Sequence, residues 1–402
     1  MYYKLVNDNS HIVFDSFDKA FKKEDETSIK LHSLTPDQIV DLMDMHANGA
    51  MNLIVALTTE CDLQCSYCFE NHLNRRPMSI ETCITLLDDL EQYIIKNNVK
   101  RIFCTLFGGE PLLNDKILHK FVTSMNVLCK RRSVKVSYLI TTNGLLADEH
   151  RCRLLNELNI ESIQVTFDGA EQTNNRRRQL ADKSENAYRL ILNNLRHITE
   201  VFPRVYIKFN IDSDNSHEYE SFLNDLQNYV EKERVIILLE SINKTPFNEY
   251  KYSYDAKEKE LAIRLVDLIS TTIKYGFNYF VKAFNTPCMH TSYNSYLIDT
   301  YGNAFSCISS FNIEEFKLGK FNRDISSKSK VRRKAFQKIE CVKSQCTKCF
   351  YLPACWGGCA YRLKSQGKDI FKDLDCRKYF YDILIEEFYN RITKVYGVDR
   401  IV

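Results

Sequence analysis

From residue 52 onward, short runs of β-branched and aromatic residues alternate with longer stretches whose apolar residues fall at helical spacing, six times in succession. The strand-like runs lie near 52–58, 101–107, 134–141, 161–167, 204–211 and 234–240. The stretches 80–97, 115–130, 147–158, 185–200 and 217–231 between them read as amphipathic helices. This alternation predicts an α/β fold with a parallel sheet and right-handed crossovers. Six units over residues 51–245 give a partial, TIM-like (β/α)6 barrel, short of the eight that close one. Such a barrel has an open side, and its chemistry belongs on the loops at the C-terminal ends of its strands.

The rest of the chain divides by pattern. A bridge over 246–284 holds a long helical stretch at 255–276, a Cys-, Gly- and aromatic-rich module follows at 285–380, and 381–402 reads as a C-terminal helix. Residues 1–50 read as two short strands and a helix, TPDQIVDLMDMHANG, capped by Thr35 with Pro36 at its first position. Lys plus Arg number 55 against 52 for Asp plus Glu, so charge gives no reason to expect a nucleic-acid or membrane partner. Neither a signal peptide nor a run of about 20 apolar residues is legible, and a cytoplasmic protein is expected. Fifteen cysteines in so large a chain without an export signal read as reduced thiols rather than disulfides, which suits an anaerobic or well-reduced cell.

Cys61, Cys65 and Cys68 form a Cys-x3-Cys-x2-Cys loop directly after the first barrel strand. Three thiolates so spaced can hold one face of a cubane cluster and leave the fourth iron open. Structural zinc, the competing reading, takes four ligands, commonly in Cys-x2-Cys pairs. Further motifs fall at later strand ends: Gly108-Gly109-Glu110-Pro111, Thr142-Asn143-Gly144, Thr166-Phe167-Asp168-Gly169 with Arg178 beyond it, and Phe209-Asn210-Ile211. Singly, each is a common turn sequence, and Arg178 belongs to a run of three arginines of the kind usually found on a solvated surface.

The string CDLQCSYCF, with Tyr67 before the third cysteine, resembles the signature of the radical S-adenosylmethionine (radical SAM) superfamily. The resemblance implies a [4Fe–4S] cluster on Cys61, Cys65 and Cys68 whose open iron binds S-adenosylmethionine and yields a 5′-deoxyadenosyl radical. It further implies cofactor contacts from Gly108 and Asn143, from Gly109 and Glu110 at the methionyl amine, from Thr166 and Arg178 at its carboxylate and the ribose, and from Ile211 near the adenine.

The C-terminal module carries Cys288, Cys307, Cys346, Cys349, Cys355, Cys359 and Cys376, with Trp356-Gly357-Gly358 before Cys359. It resembles the SPASM domain of radical SAM enzymes that mature peptides and proteins. That family typically binds two auxiliary [4Fe–4S] clusters, three in all. By position, Cys346, Cys349, Cys355 and Cys376 would complete one cluster, and Cys288, Cys307 and Cys359 would hold the other. Fully ligated relatives have a further cysteine shortly after the first, where this chain has Met289 to Asn294. Either Cys341 or His290 supplies the fourth ligand, or the iron is open to a substrate thiolate. Cys83, Cys104, Cys129 and Cys152 fall on apolar faces and are expected in the core.

These features lead to an oxidative maturase of a ribosomally made precursor peptide, forming a thioether or carbon–carbon crosslink, its catalytic base unassigned. Its expected partners are the peptide and an electron donor such as flavodoxin or ferredoxin; 1–50 is short for a complete leader-recognition domain, so leader recognition falls to a vestigial element there, to a separate leader-binding protein, or to the barrel itself. The basic run 328–334 is a second place for an acidic leader, or a solvated face. An anaerobic sulfatase-maturating, formylglycine-forming enzyme is the alternative, but that family carries an aspartate where this chain has Ile308. A non-catalytic iron–sulfur or zinc protein that binds a peptide is the reading from another class.

Overall fold

The computed structural model describes residues 2–7, 10–15, 20–23, 49–180, 186–242, 244, 250, 252–254, 257–281, 288–290, 292, 294–323, 345–346, 349, 351, 355, 357–393 and 395. The proposed cap and helix within 24–48, the basic run 328–334, Cys341 and Trp356 lie outside them.

Three strands open the chain, β1 (Tyr2–Asn7), β2 (Ser10–Asp15) and β3 (Ala20–Lys23), joined antiparallel in that order. The third is an addition to the two expected; it is only four residues long, too short for an alternating pattern to register.

The barrel strands follow as β4 (Ala50–Thr58), β6 (Arg101–Gly108), β7 (Lys135–Thr142), β8 (Ser162–Phe167), β10 (Arg204–Ile211) and β11 (Val235–Ser241). All six pair in parallel in chain order, as the repeated units predict. A short ribbon beside them joins β5 (Leu63–Cys65) to β9 (Arg178–Leu180), with Cys65 opposite Arg178.

The sheet runs further than six strands. After the helix Glu258–Lys274, β12 (Asn278–Val281) pairs in parallel with β11. At the other edge β13 (Ser295–Ile298) pairs in parallel with β4, and β14 (Asn303–Phe305) and β15 (Lys317–Lys320) extend it antiparallel. The sheet therefore ends in β12 on one side and β15 on the other, without closing.

Alternation along each strand divides the molecule into two faces. On β10, Val205, Ile207 and Phe209 are fully buried against the outer helices, while Tyr206 and Lys208 turn to the concave face. The same outer core takes in Cys83, Cys104, Cys129 and Cys152, each at most 2% exposed, as expected of plain core residues. A closed barrel fills its interior with layered side chains. Here the concave face stays open and lines two cavities that share Thr105, Leu139 and Gln164: one of about 1100 Å³ toward the N-terminal strand ends, and one of about 330 Å³ at the C-terminal ends.

Candidate active site

The smaller cavity gathers most of the residues singled out in the sequence. Cys61, Cys65, Cys68, Gly108, Gly109, Asn143, Thr166 and Arg178 all line it, and at about 330 Å³ it falls within the ~300–1,000 Å³ common for small-molecule sites. Glu110 and Ile211 stand behind this wall. The Glu110 carboxylate is fully buried and accepts from Thr142 Oγ1 on both oxygens (2.8 and 2.9 Å), from the Asn143 amide (2.7 Å) and from the Leu112 amide (3.0 Å). Burial pushes its pKa up to about 7, partly offset by those donors. Ile211 is fully buried in the outer core, and its carbonyl accepts from the Ile242 amide at 2.9 Å.

The two glycines serve a backbone crossing. A Cβ on Gly108, whose φ is +134°, would lie 2.0 Å from the Thr58 carbonyl oxygen, and one on Gly109 would lie 2.2 Å from that of Glu60. In place of side chains, the Gly109 and Glu110 amides donate to those carbonyls at 3.0 and 2.7 Å. The close backbone approach that these glycines allow is thus to the loop leading into Cys61.

The three consecutive arginines meet three environments. Arg176 is mostly exposed and pairs with Asp214 at 2.6 Å. Arg177 is buried and pairs with Asp212 at 2.6 Å. Arg178 is 5% exposed, lines the cavity, and donates to the Tyr67 hydroxyl at 3.4 Å. Burial pulls its pKa down, but Cys65, Tyr67 and Asp168 more than offset that and raise it overall, so it stays a fixed cation. The run passes from the end of a helix into β9 and buries two of its three cations, one of them at the cavity, where sequence alone suggested a solvated patch.

A network that sequence reasoning missed braces the loop. Tyr67 Oη donates to Asp168 Oδ1 at 2.9 Å, and Asn210 Nδ2 donates to both, at 2.9 Å to the carboxylate and 3.0 Å to the phenol. The loop is also fastened to the C-terminal module. His72 Nε2 lies 3.1 Å from the Phe311 carbonyl, the Phe69, Phe107 and Phe311 rings stack at 6.4 Å, and the Arg76 guanidinium sits 4.0 Å over Tyr301. Ile308 and Ser309, directly after Cys307, complete the cavity wall.

The donor set fits an iron–sulfur cluster with an amino-acid-bearing ligand. Three thiols share one cavity with a buried guanidinium. Burial pushes the Cys61 thiol up to about 11 and Cys68 to about 12, and raises Cys65 further, so the thiolate forms call for a metal's positive charge. Among the described residues no three His, Cys, Asp or Glu side chains converge as ligands of one metal ion would.

In the C-terminal module the Cys349 amide donates to the Cys346 carbonyl at 2.8 Å. Burial pushes Cys355 up to about 11, and Cys349 and Cys376 lie close enough to raise it further. The Cys359 amide donates to Asp375 Oδ2 at 3.0 Å, drawing its loop to the residue before Cys376. Cys307 and Cys359 pack against one apolar cluster that includes Phe316 and Phe371. His290, buried, places its ring against the same two phenylalanines and pairs Nδ1 with Ser306 Oγ at 2.9 Å. Cys288 is exposed. Among the described residues no helix is long and apolar enough to cross a membrane.

Comparison with known proteins agrees with this geometry. Residues 55–226 match the Radical SAM superfamily. A cysteine-type anaerobic sulfatase-maturating enzyme of Clostridium perfringens (strain ATCC 13124) is 22% identical over 375 residues, covering 85% of this chain and 97% of that protein. The radical SAM cyclopropyl synthase TigE of Paramaledivibacter caminithermalis is 27% identical over 207 residues, covering 47% of this chain and 41% of the synthase. Some of the curated relatives are thus spanned over less than half their length. In fold, the solved structure of anSMEcpe with bound AdoMet and the Kp18Cys peptide superposes with a TM-score of 0.66 at 17% identity, over 88% of this chain and all of that one.

Proposed function

We propose that this chain, whose residues 55–226 match the Radical SAM superfamily, is a radical SAM enzyme that modifies a ribosomally made peptide, joining two of its side chains or a side chain and a backbone carbon through a thioether or carbon–carbon bond. A [4Fe–4S] cluster with S-adenosylmethionine supplies, on one-electron reduction, a 5′-deoxyadenosyl radical able to take a hydrogen atom from an unactivated carbon. In this reading Cys61, Cys65 and Cys68 hold that cluster, Arg178 takes the cofactor carboxylate, and Asn143 and Thr166 face the rest of the molecule.

The observation that carries the reading is the position of Ile308 and Ser309. They follow Cys307 directly and stand in the wall of the cavity that holds Cys61, Cys65 and Cys68. A carbon radical formed there must lose one more electron to give a closed-shell crosslink. Auxiliary clusters, if held by Cys288, Cys307 and Cys359 and by Cys346, Cys349, Cys355 and Cys376, would supply an acceptor for that electron. An external flavodoxin or ferredoxin would drain and refill these sites.

Formylglycine formation is a second reading, favoured by the similarity to a sulfatase-maturating enzyme along 97% of its length. It needs a base near the substrate carbon. Ile308, apolar and on the cavity wall, stands where that family places its aspartate.

Incubating the reconstituted enzyme with its precursor peptide and a reductant distinguishes the outcomes by mass and by thiol or aldehyde labelling. Crosslinking removes a pair of hydrogens without creating an aldehyde, and a thioether also blocks one thiol. A hydrazide-reactive product would establish the second reading. An unchanged peptide alongside continued cofactor cleavage would exclude both.

A further inference from the structure

His290 is bracketed by two of the cysteines proposed for an auxiliary cluster. It stands two residues after Cys288, and its Nδ1 lies 2.9 Å from the hydroxyl of Ser306, the residue before Cys307. The ring is 4% exposed and packs on Phe316 and Phe371, with centroids 5.2 and 5.9 Å away. Cys307 and Cys359 border the apolar cluster to which both phenylalanines belong. Burial raises the pKa of the Cys359 thiol, so its thiolate calls for a metal's positive charge, and the pocket suits an iron–sulfur cluster.

The hydrogen bonds around Ser306 assign the histidine tautomer. A hydroxyl carries one proton, and that of Ser306 goes to the Phe316 carbonyl oxygen, 3.3 Å away, which can only accept. The Ser306 oxygen therefore accepts from His290 Nδ1–H. In the neutral ring this leaves the lone pair on Nε2. An imidazole whose other nitrogen donates to a fixed oxygen is the usual form of a histidine ligand.

The neighbouring residues are engaged in other ways. Met289 packs against the apolar cluster that includes Phe107 and Phe311. Ser292 Oγ accepts from Ser295 Oγ at 3.0 Å. Asn294 Oδ1 accepts from the Tyr93 hydroxyl at 2.8 Å, and its backbone carbonyl accepts from the Asn52 amide at 2.8 Å. Thr291 and Tyr293 lie outside the described residues.

We propose that His290 Nε2 ligates the iron that Cys288, Cys307 and Cys359 leave open, giving an auxiliary cluster held by three thiolates and one imidazole. This rests on reading the C-terminal module as a carrier of clusters. A substrate thiolate then has no place on that iron. A neutral imidazole brings no negative charge, so such a cluster accepts an electron more readily than one held by four thiolates. That suits it to the electron that a product radical gives up.

The test uses the full chain with its clusters reconstituted without oxygen, its histidine ring nitrogens isotopically labelled, and no S-adenosylmethionine added. Iron is counted, and the reduced clusters are read by pulsed electron paramagnetic resonance. Wild type should hold about twelve irons and show a histidine-nitrogen coupling. His290→Ala should lose the coupling together with about one to four irons per chain. His290→Cys should lose the coupling, keep its iron and lower that cluster's midpoint potential, because a thiolate adds negative charge. Cys341→Ser should retain both iron and coupling. The assignment is overturned by a wild type without histidine coupling, by a coupling that survives in His290→Ala or vanishes in Cys341→Ser, or by a His290→Cys variant that loses the cluster as His290→Ala does. A wild type holding only about four irons shows instead that the module carries no cluster, and the underlying reading falls first.

Discussion

The Tyr67 hydroxyl donates to the Asp168 carboxylate at 2.9 Å across 101 residues of sequence, tying the middle of the cysteine loop to the end of the fourth barrel strand. Asp168 is fully buried, and Asn210 donates to the same oxygen. Asp168→Ala should therefore leave the Tyr67 hydroxyl without its acceptor, take from Asn210 Nδ2 one of its two, and cost about 2–5 kcal/mol. Chemical denaturation of the cluster-free protein reads this directly, and a loss below about 0.5 kcal/mol would show that the network is not a brace.

Gly108 and Gly276 both have positive φ, but only one is crowded. A Cβ on Gly108 would meet the Thr58 carbonyl oxygen at 2.0 Å, whereas one on Gly276 would meet nothing within 4 Å. Gly276→Ala should cost about 1–2 kcal/mol from backbone conformation alone. Gly108→Ala adds a backbone collision and should cost well over that or abolish soluble expression. Comparable melting temperatures for the two variants would contradict the crossing described at the strand end.

Glu110 gives stability a pH dependence of defined sign. Burial raises its pKa from 4.5 to about 7 in the folded chain. A carboxyl raised by folding contributes stability that is complete below 4.5 and lost as pH rises through about 7. Relative to Glu110→Gln, wild type should lose about 3 kcal/mol between pH 4.5 and 8. Paired melts of the cluster-free proteins across that window check it, and parallel curves would show that the carboxyl is not strained.

Two cysteines of opposite kind provide the next comparison. Cys104 is 2% exposed in the outer core, while Cys65 lines the cavity. Cys104→Ser should cost about 1–3 kcal/mol with iron content unchanged. Cys65→Ser should change cluster-free stability little, yet lower iron by about four per chain and abolish cleavage of S-adenosylmethionine. Equal iron in the two variants would dissociate the loop from cluster binding.

The strand order was legible because each barrel strand is long enough to alternate and each is followed by a helical stretch. Asn278–Val281 is four residues long and carries no period, so β12 was absorbed into an expected helical bridge. Ser295–Ile298 gives no hint in sequence that it pairs with Asn52–Val55, because registry between strands so far apart is set by tertiary packing. Cysteine spacing announced the loop, since ligand geometry constrains neighbours in sequence. The Tyr67–Asp168–Asn210 network left no such trace: its significance lies in burial and in partners distant along the chain.

The pairing of β13 with β4 carries a kinetic consequence. One hydrogen-bonded sheet runs from the barrel into the module that holds Cys307, so the separation between the cysteine loop and the Cys307 segment is a fixed length of the fold and does not depend on a hinge. Electron tunnelling falls off steeply with distance. A donor and acceptor seated at these two places would exchange electrons at a rate set by their potentials and the intervening aromatic stack, with no waiting time for domain closure.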